Sequence, residues 1–167
     1  MNRFFITLGY SGLSPFAPGT VGTIVSLPLG VLILIYFDAY TLFLATSLIS
    51  IIAIKEINKY EERTGTHDDK SIVIDELAGM WFALSVAPAM TIGVGDIGSL
   101  ENGFLIQVIL SFVLFRYFDI AKPSVIGRID RETKGGIGVM GDDIIAGFAA
   151  GISSAGIWQG IVYLNIF

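Results

Sequence analysis

The chain has 167 residues, a length that suits one domain, 1–167, rather than two. Its residues are 53% apolar and only 15% charged, with a mean hydropathy of +0.74; soluble globular proteins carry about a quarter charged residues, so this surface is predicted to face lipid. The absence of cysteine excludes disulfides and thiolate metal sites, and the net charge of −5 excludes the basic face that nucleic-acid binding requires.

Met1 to Tyr10 carries one Arg and a short apolar run, followed by Gly and Pro without a small-residue cleavage pattern, so no removable signal peptide is expected. Ser14 to Thr23 reads SPFAPGTVGT. Backbone N–H groups at such a turn into a helix bind anions, and Thr20 beside Gly19 adds a donor or a nucleophile. No Lys-Ser/Thr follows the glycines, so this is not a Walker loop. A purely structural role, Pro and Thr as helix-start chemistry, is the competing reading.

Five apolar stretches follow: Val21 to Phe37, Thr41 to Ile54, Ile72 to Val94, Gly103 to Phe118 and Ile144 to Phe167. They predict an all-α, polytopic membrane helix bundle of about five spans, with short polar connections and the Gly/Pro-rich loop at its start. A span needs about 20 residues, which leaves the first and fourth stretches slightly short and the second, the shortest, marginal. Snorkelling by Lys55 and Lys59 would extend the second.

Charge placement supports the same topology. Five spans put Arg3, the Lys55–Lys70 group and the Arg116–Lys134 group on one side, while the connections around Asp38 and over Gly95 to Asn102 have no Lys or Arg. The positive-inside rule assigns the basic side to the cytosol.

The polar segments lie on that basic side. Thr66 to Gly79 (THDDKSIVIDELAG) brings His67 in a polar loop, then Asp75 and Glu76 at the start of the third span. Arg116, Asp119 and Lys122 recur every three residues on one broad helical face at the end of the fourth. Gly135 to Gly147 (GGIGVMGDDIIAG) makes a permissive turn from which Asp142 and Asp143 open the last span. Each has a structural alternative: a solvated connection for the loop acids Asp68 and Asp69, an ordinary polar contact for His67, dipole stabilisation for one of Asp75 and Glu76, ion pairing for Asp119, capping for one of Asp142 and Asp143, and an exposed pair for Asp130 and Arg131. Jointly, five carboxylates at three helix ends repel one another unless cations intervene. Oxygen donors point to Mg²⁺, and one His with no Cys argues against zinc. Carboxylates, Mg²⁺, neighbouring cations and a Gly-rich loop suit phosphoryl transfer or phosphate hydrolysis. In the last helix, Ala146, Ala150 and Ser154 with Gly147, Gly151 and Ala155 form a small-residue ladder that is read as packing.

The ordered set FAPGTVGT, HDDKSIVIDELAG, RYFDIAKP and GGIGVMGDDIIAG, at Phe16, His67, Arg116 and Gly135, resembles the bacterial phosphatidylglycerophosphatase A family over essentially the whole chain. The resemblance implies a Mg²⁺-dependent lipid phosphatase of the inner membrane, facing the cytosol, that converts phosphatidylglycerophosphate to phosphatidylglycerol and phosphate. It marks Thr20, His67, Asp68, Asp75, Glu76, Arg116, Asp119, Lys122, Asp130, Arg131, Asp142 and Asp143 as family-type positions. Asp69 and Gly141 fall where the family varies. On this basis Asp75, Glu76, Asp119, Asp142 and Asp143 are the expected metal ligands. Asp75, Asp119, Asp142 and Thr20 are the catalytic candidates. Gly19, Thr20, His67, Arg116, Lys122 and Arg131 are the expected substrate contacts. The expected partners are the phospholipid and the bilayer, with no protein partner implied. The alternatives are a transporter or channel for a divalent cation or small anion, which would place acids near the bilayer midplane, and a soluble helical domain with an apolar surface.

Overall fold

The computed structural model describes residues 2–67, 69–87 and 103–164. Asp68, the expected outer connection Gly95 to Asn102, and the ends of the third and fifth expected spans lie outside the described residues. Those residues form seven α-helices and no strand: α1 (Arg3–Ile6), α2 (Pro18–Tyr36), α3 (Ala39–Thr64), α4 (Ile74–Val86), α5 (Phe104–Ala121), α6 (Val125–Glu132) and α7 (Gly135–Tyr163), with a 3₁₀ turn at Ser11–Leu13.

Four of these helices, α2, α3, α5 and α7, are long and apolar enough to cross a membrane. Between 22% and 33% of each such span is buried within the protein, so most of its apolar surface needs lipid. Leu29, Leu32, Leu44, Leu48, Ile51, Ile109, Val113 and Ile152 are among the exposed side chains.

α4 occupies the centre and packs against α2, α3, α5 and α7. From Ile74 to Leu84 every residue of it but Asp75 is buried, which explains the unbroken apolar run that begins at Leu77. Trp81 is held there by its Nε1–H, which donates to Ser26 O of α2 at 2.8 Å.

The helix limits follow local chemistry. Asp38 caps α3, its Oδ1 accepting from Thr41 N at 2.6 Å. Gly65, at φ +69°, ends α3 in the left-handed conformation that glycine tolerates. α3 therefore runs ten residues past the expected Ile54, carrying Lys55, Lys59 and Arg63 on a helix rather than in a connection. The second span is thus not short.

The last span also departs from expectation. α7 starts at Gly135, so Asp142 and Asp143 lie two turns inside the helix rather than capping it. Of the glycines that read as a turn, Gly135 takes a left-handed backbone at the helix start (φ +73°), and Gly136 permits close packing. A Cβ at Gly136 would stand 2.9 Å from Ile54 Cα, and Asn58 Oδ1 of α3 accepts from Gly136 N at 2.6 Å, supplying the missing cap.

The small-residue ladder of α7 is the α4–α7 contact. A Cβ on Gly147 would lie 2.9 Å from Gly79 C, and one on Gly151 2.8 Å from Ala83 O. Beside this crossing Phe82 stacks on Phe148, with ring centroids 4.8 Å apart.

Candidate active site

One polar cavity of about 280 Å³ opens at the end of the bundle where α2, α4 and α7 begin and α3 and α5 finish. Its lining holds seven carboxylates (Asp69, Asp75, Glu76, Asp119, Asp130, Asp142 and Asp143) against three cations (Lys70, Arg116 and Lys122). Glu76, Asp142 and Asp143 are no more than 8% exposed. Each buried ion costs several kcal/mol unless compensated, so the surplus of acids calls for further positive charge.

Glu76, Asp119 and Asp143 each offer a carboxylate oxygen, and the three oxygens lie within 4.8 Å of one another. They come from three helices, one turn or less from the ends of α4 and α5 and two turns into α7. An octahedral Mg²⁺ with bonds of about 2.1 Å separates opposite ligand oxygens by about 4.2 Å, so the trio matches the spacing of one hard cation. Every donor is oxygen, as that ion prefers.

Arg116 compensates only part of this charge. Its Nη1 lies 2.6 Å from Glu76 Oε2 and 2.9 Å from Asp119 Oδ2. The same nitrogen donates to Thr23 Oγ1 at 3.2 Å, and Nη2 donates to Thr20 Oγ1 at 3.3 Å. Thr23 Oγ1 is itself 3.0 Å from Glu76 Oε2. Gly19 lines the cavity because a Cβ there would collide with Glu76 Oε1. The glycine of the N-terminal loop thus first makes room for a carboxylate.

Lys122 forms the second clamp, bridging Asp130 and Asp142, with Asp142 Oδ2 at 2.6 Å. Burial opposes its charge, but the hydrogen bonds to the two aspartates prevail and hold its pKa well above the ordinary lysine range. The other Asp142 oxygen, Oδ1, is buried without a hydrogen-bond partner. Asp75 lines the cavity outside the close trio, its Oδ1 accepting from Glu76 N at 3.0 Å. At the rim, the half-exposed His67 places Nδ1 2.7 Å from Glu61 Oε1. Asp69 is fixed by Tyr60 Oη at 2.6 Å and Ser71 N at 2.9 Å, hydrogen bonds that hold its carboxyl below the usual range.

The fold therefore gathers Gly19, His67, Asp75, Glu76, Arg116, Asp119, Lys122, Asp142 and Asp143 around one cavity. Thr20 is tied to it through Arg116. Arg131 is different: it stands exposed on α6, outside the lining, because the helix turns Asp130 rather than its neighbour toward Lys122. Thr23 was missed as a site residue. It lies one helical turn after Gly19, and that spacing together with its small polar side chain in an apolar span was the available signal.

The family model of phosphatidylglycerophosphatase A matches residues 4–158. A phosphatidylglycerophosphatase A of Escherichia coli K12 is 36% identical over 88% of this chain and 75% of that protein. One of Haemophilus influenzae is 32% identical over 84% of this chain and 78% of its own length. A Bacteroides thetaiotaomicron protein named "Putative phosphatidylinositol-3-phosphatase" is 35% identical over 82% and 80%. No solved structure matches the chain significantly.

Proposed function

The chain belongs to the phosphatidylglycerophosphatase A family, and from that membership we propose that it removes the terminal phosphate of phosphatidylglycerophosphate in a Mg²⁺-dependent reaction at the cytosolic face of the inner membrane. The observation that carries the chemistry is the trio Glu76, Asp119 and Asp143 beside Arg116 in a cavity with an excess of acid. A phosphate dianion is repelled by such a cavity unless divalent cation accompanies it. The positive-inside rule supports the cytosolic orientation, since the cavity shares its side of the bundle with the Lys and Arg residues.

Glu76, Asp119 and Asp143 would hold the cation, with Asp75 and Asp142 nearby. When bound, Mg²⁺ supplies charge neutralisation to the phosphate oxygens and polarises the phosphorus centre. Arg116 and Lys122 act as the protein's own electrostatic clamps on the phosphoryl group, each exchanging part of its carboxylate pairing for phosphate. Thr20 offers a hydroxyl beside Arg116 for orienting the ester. In hydrolysis the O–P bond to the glycerol oxygen breaks, a new P–O bond forms, one proton passes to a carboxylate and the leaving alkoxide regains one. Asp142, with an unpartnered oxygen, is suited to accept that proton. Direct attack by water and a phosphoryl-enzyme on Asp or Thr20 both satisfy this balance, and trapping of a labelled phosphoenzyme would support the second.

The test is phosphate release by purified protein from phosphatidylglycerophosphate, with Mg²⁺ and with chelator. Release that requires Mg²⁺, and falls at least about 100-fold in Asp119→Asn and Asp142→Asn, is expected. No release under either condition removes the enzyme reading, and wild-type rates for both variants at limiting Mg²⁺ remove the metal assignment. The Bacteroides relative supports a second reading, a 3-phosphoinositide substrate, so phosphatidylinositol 3-phosphate belongs in the same assay. A transport role is disfavoured because the carboxylates collect at one end of the bundle rather than near the middle of the spans.

A further inference from the structure

A second cavity, of about 330 Å³, lies between α2 and α5 on the flank of the bundle. Its walls are Ile24 and Leu27 of α2 and Leu105, Val108, Ile109 and Phe112 of α5, all apolar. The two walls end in polar residues. On α2, Thr20, Ile24 and Leu27 follow one another at helical-face spacing, and on α5 so do Leu105, Ile109, Phe112 and Arg116. Thr20 and Arg116 meet at the head of the groove, Nη2 donating to Oγ1 at 3.3 Å. Arg116 in turn touches Glu76 and Asp119 of the polar cavity. One arginine therefore stands between an apolar groove and a phosphate-type site.

We propose that the groove between α2 and α5 receives one acyl chain of the lipid substrate, which enters sideways from the bilayer with its phosphate passing the Thr20–Arg116 pair. This rests on the lipid-phosphatase reading above and adds the route of entry. The dimensions agree. From Leu105 to Arg116 α5 rises about 16 Å, close to half of the roughly 30 Å hydrocarbon core, a length that suits one acyl chain hanging from a head group held at Arg116. Both α2 and α5 rest on α4 and touch each other little, which leaves the cleft accessible from lipid. The occupant is a chain carrying a phosphate at one end, because Arg116 would reward an anionic head group and the apolar walls would not reward a free phosphate ion.

The test combines kinetics with photolabelling. Ile24→Trp and Ile109→Trp fill the groove from exposed positions; Leu48→Trp, exposed on α3, is the control. With long-chain phosphatidylglycerophosphate the groove variants are expected to raise KM about 10-fold or more with kcat within about 2-fold, whereas the deacylated head group shows no change and the control behaves as wild type. In the unmodified protein, phosphatidic acid bearing a mid-chain diazirine should label α2 and α5 above the level seen with diazirine phosphatidylcholine, and unlabelled substrate should suppress it. Equal labelling by both lipids, or groove variants that match the control, overturns the proposal even if the enzyme is active. Selective labelling by a protein that hydrolyses no phosphatidylglycerophosphate upholds the groove and removes the reaction.

Discussion

Replacing Gly147 by Ala adds one methyl group at the α4–α7 crossing, one helical turn from Asp143 on α7 and facing Gly79, which follows Glu76 by three residues on α4. The new Cβ would stand 2.9 Å from Gly79 C and 3.0 Å from Gly79 Cα, and closer still to the Gly79 carbonyl oxygen, where ordinary contact begins at 3.4 Å. Backbone on both sides leaves no flexible side chain to yield. The helices must therefore part by at least about half an ångström, which as overpacking costs about 1–3 kcal/mol. The same displacement widens the Glu76–Asp143 spacing inside a cluster that spans 4.8 Å. Misplacement of reacting groups by about 1 Å can cost about 100-fold in rate, so a loss of about 10- to 100-fold is expected, with half-saturation by Mg²⁺ moving upward. Phosphate release across a Mg²⁺ titration, beside thermal unfolding in detergent, measures both effects. Gly156→Ala on the same helix meets nothing within 4 Å and is expected to be neutral or to stabilise by about 0.4–1 kcal/mol. A Gly147→Ala protein with wild-type rate and Mg²⁺ dependence would refute the link between this crossing and the carboxylate cluster.

Thr23→Val keeps the shape of a fully buried side chain and removes the hydroxyl between Glu76 and Arg116; it should cost about 1–3 kcal/mol of stability, and an unchanged unfolding midpoint would show the hydroxyl to be dispensable. Lys122 bridges Asp130 and Asp142 with a folded pKa above the ordinary 10.5, so its contribution is complete below that value and fades only as pH rises through the folded one. The melting-temperature difference between wild type and Lys122→Met should accordingly stay constant from about pH 7 to about pH 10, and a difference that closes near pH 8 would contradict the clamp. Asp69 has the opposite sign, because the Tyr60 and Ser71 hydrogen bonds lower its pKa. Asp69→Asn should destabilise at neutral pH and cease to differ from wild type as acid protonates the native carboxyl, whereas a deficit that persists at low pH would assign the effect to packing.

Much of this architecture was legible from local patterns. A bilayer constrains each segment along one axis, so apolar length and the side on which Lys and Arg fall are properties of the linear sequence. These sufficed to place α2, α3, α5 and α7 and to collect Asp75, Glu76, Asp119, Asp142 and Asp143 at one end. Helix limits were less legible where polarity and helicity part company. α3 continues through Lys55, Lys59 and Arg63 because it leaves the apolar zone without unwinding, and α7 begins as early as Gly135 because the turn is confined to that one left-handed residue while Gly136 packs on α3.

What the sequence determined by itself was the membrane setting, the polar end and the types of donor available there. Only the tertiary structure decided that Glu76, Asp119 and Asp143 form the close trio, that Asp142 belongs to Lys122, that Thr23 joins Glu76 to Arg116 and that Arg131 stands outside. The reason is geometric. Helical periodicity fixes the direction of a side chain about its own axis, but the distance between carboxylates on different helices depends on how closely the axes approach. Here that approach is set by Gly79 against Gly147 and Gly136 against Ile54, contacts that link residues far apart along the chain.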